Sequence, residues 1–382
     1  MKVGFDVSQT GTRKAGCGYL ADSLIRALLD APGAPEFLLY PTFGDQFWDP
    51  DWAAATFRDP AGRANRLLAP ADFHASREFW ASPAPGFETA IGSPDIVHSN
   101  NFFAPRLERA RLVWTLHDLL FIDHPEWTTE PNRVGCFRNT FEAALRADVV
   151  LANSAYSRSR FLDVFPHYPS ERVTVAYPGS RFARRSPAPR PSNCDRLQTG
   201  EFWLSVGTIE PRKNLRALLE ARTFLHTQGF PLKPLALAGG EGWMISAEDL
   251  HAQDVLLLGY VDDAALQWLY ENCYAFAFPS LAEGFGMPVI EAMSCGAAVL
   301  CSDSTALSEV ADQAAFFCNP TEIDSIAAGI RTLESDTSVR QNLRERGRIR
   351  AASFSWSNTA RIVLSAYHQA MTLPSLKAIL PR

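Results

Sequence analysis

Nowhere in the 382 residues does an apolar run approach the ~18 consecutive residues that a membrane-spanning helix needs. The opening Met1-Lys2-Val3-Gly4-Phe5-Asp6 reads as a buried strand rather than a cleavable leader, so a cytoplasmic protein is predicted. The seven cysteines (Cys17, Cys136, Cys194, Cys273, Cys295, Cys301 and Cys318) are odd in number, scattered and free of any Cys-x-x-Cys pair. Neither a disulfide framework nor a zinc site is expected from them. Cationic excess is missing too: 36 Lys and Arg stand against 42 Asp and Glu, a formal charge of -6, whereas a general nucleic-acid binder presents a basic surface. No Asp-x-Asp carboxylate pair positioned for a metal stands out, and no repeat of ~20–50 residues points to a solenoid. What is present is core-forming material, 47% hydrophobic, in a chain too long for one ordinary domain of ~100–200 residues.

Short β-rich runs alternate with amphipathic helices in both halves. In the first, strands are expected at 3–7, 95–98, 111–116, 148–152 and 173–176, and helices at 19–29, 137–146 and 157–165. Strand–helix alternation implies a parallel sheet covered on both faces. At 179–194 the composition turns to Pro, Ser and Arg, including Arg181, Arg184, Arg185 and Arg190, and reads as a linker. The alternation restarts with strands at 202–206, 235–238, 255–258, 275–278 and 297–301 and helices at 215–227, 263–271 and 288–294. The expected organisation is a first domain over 1–178, a second over 195–357, and a final helix within about 358–382 that packs back on the first.

The densest chemical signal runs from Phe278 to Met293: an apolar strand, then Glu283-Gly284-Phe285-Gly286, then a helix with Pro288 near its start and Glu291 in its first turn. Free N–H groups and the positive dipole end at such a helix suit phosphate or hydroxyl oxygens. Glu283 and Glu291 could both reach one ligand that spans the turn. Gly207-Thr208-Ile209-Glu210-Pro211-Arg212-Lys213-Asn214 leads from a strand into another helix, where two cations oppose the macrodipole unless an anion binds, which points to a diphosphate. In the first half, Gly16-Cys17-Gly18 allows close backbone approach, and His117-Asp118 follows a strand, with Asp118 placed to orient the histidine or raise its pKa.

Glu283-x7-Glu291, Glu210-Pro-Arg-Lys-Asn214, Thr115-Leu-His-Asp118, the Gly16–Gly18 turn and Ala306-Leu-Ser-Glu-Val310 together resemble the retaining glycosyltransferases of family 4, from the first strand to Trp356. The resemblance implies an α/β GT-B fold, two Rossmann-like doubly wound domains facing across a cleft. It implies that Arg212 and Lys213 bind the donor diphosphate and that the turn at Gly16 and Gly18, with Gly207, approaches it. Glu291 would hold the ribose hydroxyls. Glu283 and the backbone of Gly284, Phe285 and Gly286 would hold the donor sugar, His117 would sit near the reacting sugar, and Tyr260 and Val261 would flank the base. Thr208 and Tyr19 stand where many relatives carry arginine, which alters the phosphate geometry.

The implied reaction is metal-independent hexosyl transfer with retention and no cofactor beyond the nucleotide-sugar substrate. The wording around His117 and Ala306 looks most like mannosyltransferases of bacterial polysaccharide assembly, which favours GDP-mannose over a UDP-sugar. A non-catalytic nucleotide-sugar-binding regulator is the alternative. Such relatives often use lipid-linked saccharide acceptors, which implies peripheral contact at the inner face of the cell membrane. The Arg181–Arg190 segment could meet anionic lipid, and Trp48, Trp52, Trp80, Phe102 and Phe103 could stack on an acceptor.

Overall fold

The computed structural model describes residues 1–12, 14–44, 56–68, 70, 72–182, 186–191, 194–243 and 254–376. The chain divides into two compact units, one of Met1–Asp123, Glu130–Pro178 and Trp356–Arg382, the other of His124–Thr129 and Gly179–Ser355.

The first unit is built on a seven-stranded sheet in the order β3-β2-β1-β4-β5-β6-β7. Its strands are β1 (Lys2–Asp6), β2 (Glu36–Tyr40), β3 (Ala64–Arg66), β4 (Ile96–Ser99), β5 (Arg111–Leu116), β6 (Val149–Ala152) and β7 (Val173–Val175). All neighbours pair in parallel. Along β2, Phe37 and Leu39 enter one apolar cluster and Leu38 and Tyr40 another, so both faces of the sheet are covered, as a parallel sheet requires. The helices are α1 (Gly16–Leu29), α2 (Phe73–Ala81), α3 (Phe87–Ala90), α4 (Leu120–Asp123), α5 (Glu130–Arg146) and α6 (Ala155–Val164), joined by the C-terminal Trp356–Thr372 helix, which packs on α1, β5 and β6.

The second unit holds a six-stranded parallel sheet in the order β10-β9-β8-β11-β12-β13. Its strands are β8 (Trp203–Val206), β9 (Leu235–Ala238), β10 (Val255–Gly259), β11 (Ala275–Phe278), β12 (Val299–Ser302) and β13 (Phe316–Cys318). The accompanying helices are α7 (Leu215–Thr227), α8 (Asp263–Asn272), α9 (Met287–Ser294), α10 (Thr305–Ala311), α11 (Ile323–Ser335) and α12 (Thr337–Ala352), which makes the C-terminal helix of the first unit α13. In each sheet the strand order reverses beside the first strand, between β1 and β4 and between β8 and β11. Ligands of open α/β sheets bind outside the carboxyl ends at such a switch point.

Several elements differ from expectation. The helix expected from residue 137 begins at Glu130, because Pro131 falls in its first turn, where the missing N–H costs nothing. Strands β2, β3 and β13, helices α2 to α4 and helices α10 to α12 lie outside the expected elements. The buried residues of α12 are Arg340, Leu343, Gly347 and Ala351, too thin an apolar stripe to stand out in the sequence.

Candidate active site

In the second unit, β8, β9 and β10 run out into glycines, Gly207, Gly239 and Gly259, and these line a cleft at the carboxyl ends together with Lys213, Glu241 and Phe278. Two of the glycines are sterically required. A Cβ on Gly239 would stand 1.9 Å from the Gly207 carbonyl oxygen, and one on Gly207, whose φ is +144°, would press on the Lys213 chain at 3.1 Å. Gly239 carried no motif in the sequence. Tyr260 is half exposed and Val261 is buried just beyond Gly259, and neither lines this cleft.

Lys213 joins the cleft to a cluster of charges. Its Nζ donates to Glu283 Oε1 at 2.7 Å and lies 4.8 Å from the centre of the Phe278 ring. Arg212 donates through Nη1 to Glu283 Oε2 and through Nη2 to Glu210 Oε1, each at 2.5 Å. Burial alone would raise the Glu283 pKa, but the two cations outweigh it and hold the carboxyl at about 2. Lys213 is shifted down by burial and by Arg212, against the pull of Glu283. The cations do not occupy a bare helix start, as the sequence suggested. They lie in a 3-10 turn, Pro211–Lys213, ahead of α7, and two carboxylates balance their charge. Asn214 closes the turn at φ +57° and donates to the Pro279 and Pro320 carbonyls, tying it to the end of β11.

The glycine turn between Glu283 and α9 is buttressed by Ala306-Leu-Ser-Glu-Val310 and the two residues before it. The Glu283 N–H donates to Thr305 Oγ1 at 2.9 Å, and Ser304 Oγ donates to the Leu281 carbonyl. Leu307 packs where Gly286, at φ +94°, would carry a Cβ. Thr305 itself has φ +50°, an uncommon conformation for a β-branched residue that only a well-determined surround maintains.

Glu291 is the fifth residue of α9, beyond the first turn in which the sequence placed it. It is 1% exposed and bound by a residue that the sequence assigned to the linker. Arg181 donates through Nε to Oε1 at 2.6 Å and through Nη2 to Oε2 at 3.1 Å, while its Nη1 reaches Asp263 at 2.8 Å. Tyr270 adds a longer contact at 3.4 Å. Arg190 donates to the carbonyls of Cys194, Asp195 and Leu197. These two arginines are therefore turned to protein oxygens rather than offered to lipid, and Arg184 and Arg185 lie outside the described residues.

In the first unit, His117 follows β5 and is buried. Its Nε2 lies 2.7 Å from the Asn100 carbonyl, which only accepts, so that nitrogen carries a proton. Burial pulls its pKa down, but Cys17, which hydrogen-bonds it, the Asn100 carbonyl and lastly Asp118 outweigh burial and lift it to about 9. The expected orienting role of Asp118 is thus filled mainly by Asn100 and Cys17, and the Asp118 carboxylate instead accepts from the Leu120 N–H. Cys17 is the second residue of α1, between the two predicted glycines. A Cβ on Gly18 would strike the Gln9 carbonyl at 2.0 Å, whereas Gly16 has open space.

Asn100 is held by Asp6, the last residue of β1. The Asn100 N–H donates to the Asp6 carboxylate at 3.2 Å, and Nδ2 donates to the Asp6 carbonyl at 2.9 Å. Burial raises the Asp6 pKa to about 6. Behind Asn100 runs a buried chain: Thr115 Oγ1 donates to Asn100 Oδ1 at 3.3 Å, His98 Nε2 lies 2.9 Å from Thr115 Oγ1, and His98 Nδ1 lies 2.6 Å from the Tyr367 hydroxyl on α13. With the single Thr115 proton spent on Asn100, His98 must donate through Nε2 and accept from Tyr367. Burial takes the His98 pKa to about 3, so the ring stays neutral and the direction of the chain is fixed. Of the aromatics considered for an acceptor, Phe102 lies 6.1 Å from the His117 ring, Trp80 is core, Phe103 packs on Phe43, and Trp48 and Trp52 lie outside the described residues.

Residues 195–350 match the family model "Glycosyl transferases group 1", and residues 41–183 match "Glycosyltransferase Family 4". The O-antigen chain mannosyltransferase B of Escherichia coli is 35% identical over 283 residues, 71% of this chain and 74% of that protein. An N-acetylgalactosamine-N,N'-diacetylbacillosaminyl-diphospho-undecaprenol 4-alpha-N-acetylgalactosaminyltransferase of Campylobacter jejuni is 29% identical over 171 residues, 43% of this chain and 46% of that one. Among solved structures, Anabaena Alr3699/HepE in complex with UDP and glucose superposes with a TM-score of 0.71 at 19% identity, over 96% of this chain and 99% of that one, a likeness of fold.

Proposed function

The chain belongs to the family 4, group 1 glycosyltransferases, and from that premise we propose that it transfers mannose from GDP-mannose, with retention, to a saccharide or lipid-linked saccharide in polysaccharide assembly. The observation that carries the reading is Lys213, which lines the strand-end cleft and at the same time holds Glu283 at 2.7 Å. In the free protein Glu283 serves as the anion between Arg212 and Lys213. The donor diphosphate takes its place, and the released carboxylate is then available to the hydroxyls of the sugar. Cations already fixed where charge develops on the leaving group supply the electrostatic stabilisation that a metal supplies elsewhere, each such contact worth roughly 10²–10³ in rate. The departing phosphate takes the acceptor's proton on the same face, and His117, protonated at neutral pH, assists at the reacting sugar. Support for mannose comes from the E. coli relative's activity, and for a lipid-linked acceptor from the Campylobacter relative.

The test is thermal unfolding with GDP, UDP, ADP and GDP-mannose, with and without chelator. A ligand at ~100 times its Kd adds about 2.7 kcal/mol. Stabilisation by GDP and GDP-mannose that survives chelation and is lost in Lys213→Ala is expected. Stabilisation by UDP alone would move the donor to a UDP-sugar. If no nucleotide acts on the wild-type protein, the donor-site reading falls.

A further inference from the structure

Helix α13 buries Thr359, Ala360, Val363, Ala366, Tyr367 and Ala370. Thr359 spends its hydroxyl on the Tyr177 carbonyl, so Tyr367 brings the other buried hydroxyl of an otherwise apolar face. Packing does not require it, because Phe would fill the same space without the cost of desolvating an O–H. Its partner His98 is likewise a polar residue at a core position, beside Ile96 and Val97 in β4. Both side chains belong to residues with 0% exposure, and the imidazole meets the Phe5 and Tyr367 rings edge to face, at 5.0 and 5.6 Å.

The direction of the Tyr367–His98 hydrogen bond is dictated from the far end of a chain. The Asp6 carbonyl only accepts, so the Asn100 amide turns Nδ2 toward it and leaves Oδ1 for Thr115. Thr115 donates its one proton to Asn100, His98 donates to Thr115 through Nε2, and Tyr367 donates to His98 Nδ1. Tyr367, His98, Thr115 and Asn100 are all buried, so no water competes for these bonds and the protons have one arrangement. It ends on Asn100, whose main-chain carbonyl accepts from His117 Nε2 at 2.7 Å. Without the Tyr367 hydroxyl the arrangement is no longer unique. His98 can then carry its proton on Nδ1 and accept through Nε2, which turns the Thr115 hydroxyl away from Asn100 and leaves Oδ1 without that donor. The residue that holds the His117 proton would be secured from the Asp6 side alone.

We propose that Tyr367 is a positioning residue for His117, acting through His98, Thr115 and Asn100. What His117 does at the reacting sugar rests on the donor reading above, whereas its positioning by Tyr367 does not. The titratable groups that face His117 are Cys17 of α1, Asp6 of β1 and its own neighbour Asp118, and a change at residue 367 removes none of them. The ring-nitrogen NMR resonances of the histidines are followed in the full chain through the His117 titration at about 9, with His98→Asn and His117→Gln supplying the assignments. In the wild type His98 shows one tautomer, protonated on Nε2. Tyr367→Phe keeps the ring in place and is expected to show both tautomers, and its His117 imidazolium is expected to dissociate about tenfold more readily. Thr115→Val cuts the same chain and should shift His117 alike, with the double variant shifting it no further, because two breaks in one chain do not add. Turnover of GDP-mannose by Tyr367→Phe should fall in kcat by about tenfold or more at unchanged KM. A Tyr367→Phe protein whose His117 titrates as in the wild type overturns the proposal. So does wild-type His98 protonated on Nδ1, and so do single-variant effects that add, the mark of a core loosened at two independent places. If the wild type does not turn over GDP-mannose, the donor reading fails, and the His117 titration still decides the role of Tyr367.

Discussion

A guanidinium that grips both oxygens of a carboxylate with 1% exposure cannot be removed without stranding a charge in the interior. Arg181→Met is therefore expected to destabilise the second unit by about 3–5 kcal/mol, the cost of breaking one side of a buried pair. Adding Glu291→Gln should restore much of it, because replacing the whole pair with neutral groups is often close to neutral. Urea unfolding of the three proteins decides it, and a single variant as stable as wild type would show that water solvates Glu291. The two glutamates of this site could be read from sequence because they flank one short turn. Their partners could not: Arg181 comes from 110 positions away, and its composition-matched neighbours suggested a solvated linker. His117 shows the same limit. Its neighbour Asp118 was the visible candidate for a partner, whereas the group that fixes its proton is a main-chain carbonyl, which every residue has.

At the scale of elements, the glycine turn ahead of α9 depends on α10. Gly286→Ala would place a methyl group 2.5 Å from Leu307 Cδ2 at a φ of +94°. The left-handed conformation alone costs about 1–2 kcal/mol for a residue with a Cβ. The variant should unfold at lower temperature and lose nucleotide-induced stabilisation. Pairing it with Leu307→Ala should relieve the overlap but leave the strain, so nucleotide binding recovers only in part. Full recovery would mean that the turn is soft. The strand–helix alternation was legible where strands were apolar and ended at glycine, as at β8 and β9. It failed at α10, a short helix that packs on the glycine turn, and at α12, whose apolar stripe is thin, and it also missed α11, although Ile326, Ile330 and Leu333 form a regular stripe there. The Ala306–Val310 motif carried the resemblance, but its physical role, packing the glycine turn ahead of α9, is visible only in the structure.

Across the whole molecule each unit carries its own set of displaced groups, and with it its own dependence on pH. In the second unit the Glu283 pKa of about 2 lies below the ordinary 4.5, so the stability it contributes is complete above pH 4.5 and is lost as pH falls through about 2. In the first unit Asp6 and His117 are raised, whereas His98, at about 3 against 6.5, is lowered and costs stability as pH falls from 6.5 toward 3. Asp6, at about 6 against 3.8, holds its proton longer when folded, so its contribution is present in acid and is lost as pH rises from 3.8 through 6. His117, at about 9 against 6.5, contributes fully below pH 6.5 and loses that contribution as pH rises through 9. Raising the pH from neutrality toward 9 should therefore lower the unfolding temperature of the first unit before that of the second, whose buried thiols Cys273, Cys295 and Cys318, pushed up to about 12, cost stability only above the ordinary 9, so the thermal transition splits at mildly alkaline pH. Calorimetry from pH 4 to 10 tests this, with His117→Gln expected to flatten the alkaline limb and GDP expected to raise the later transition. A single transition that shifts as one across that range, with His117→Gln following the wild-type curve, would show that the imidazole has no raised affinity for its proton in the folded state.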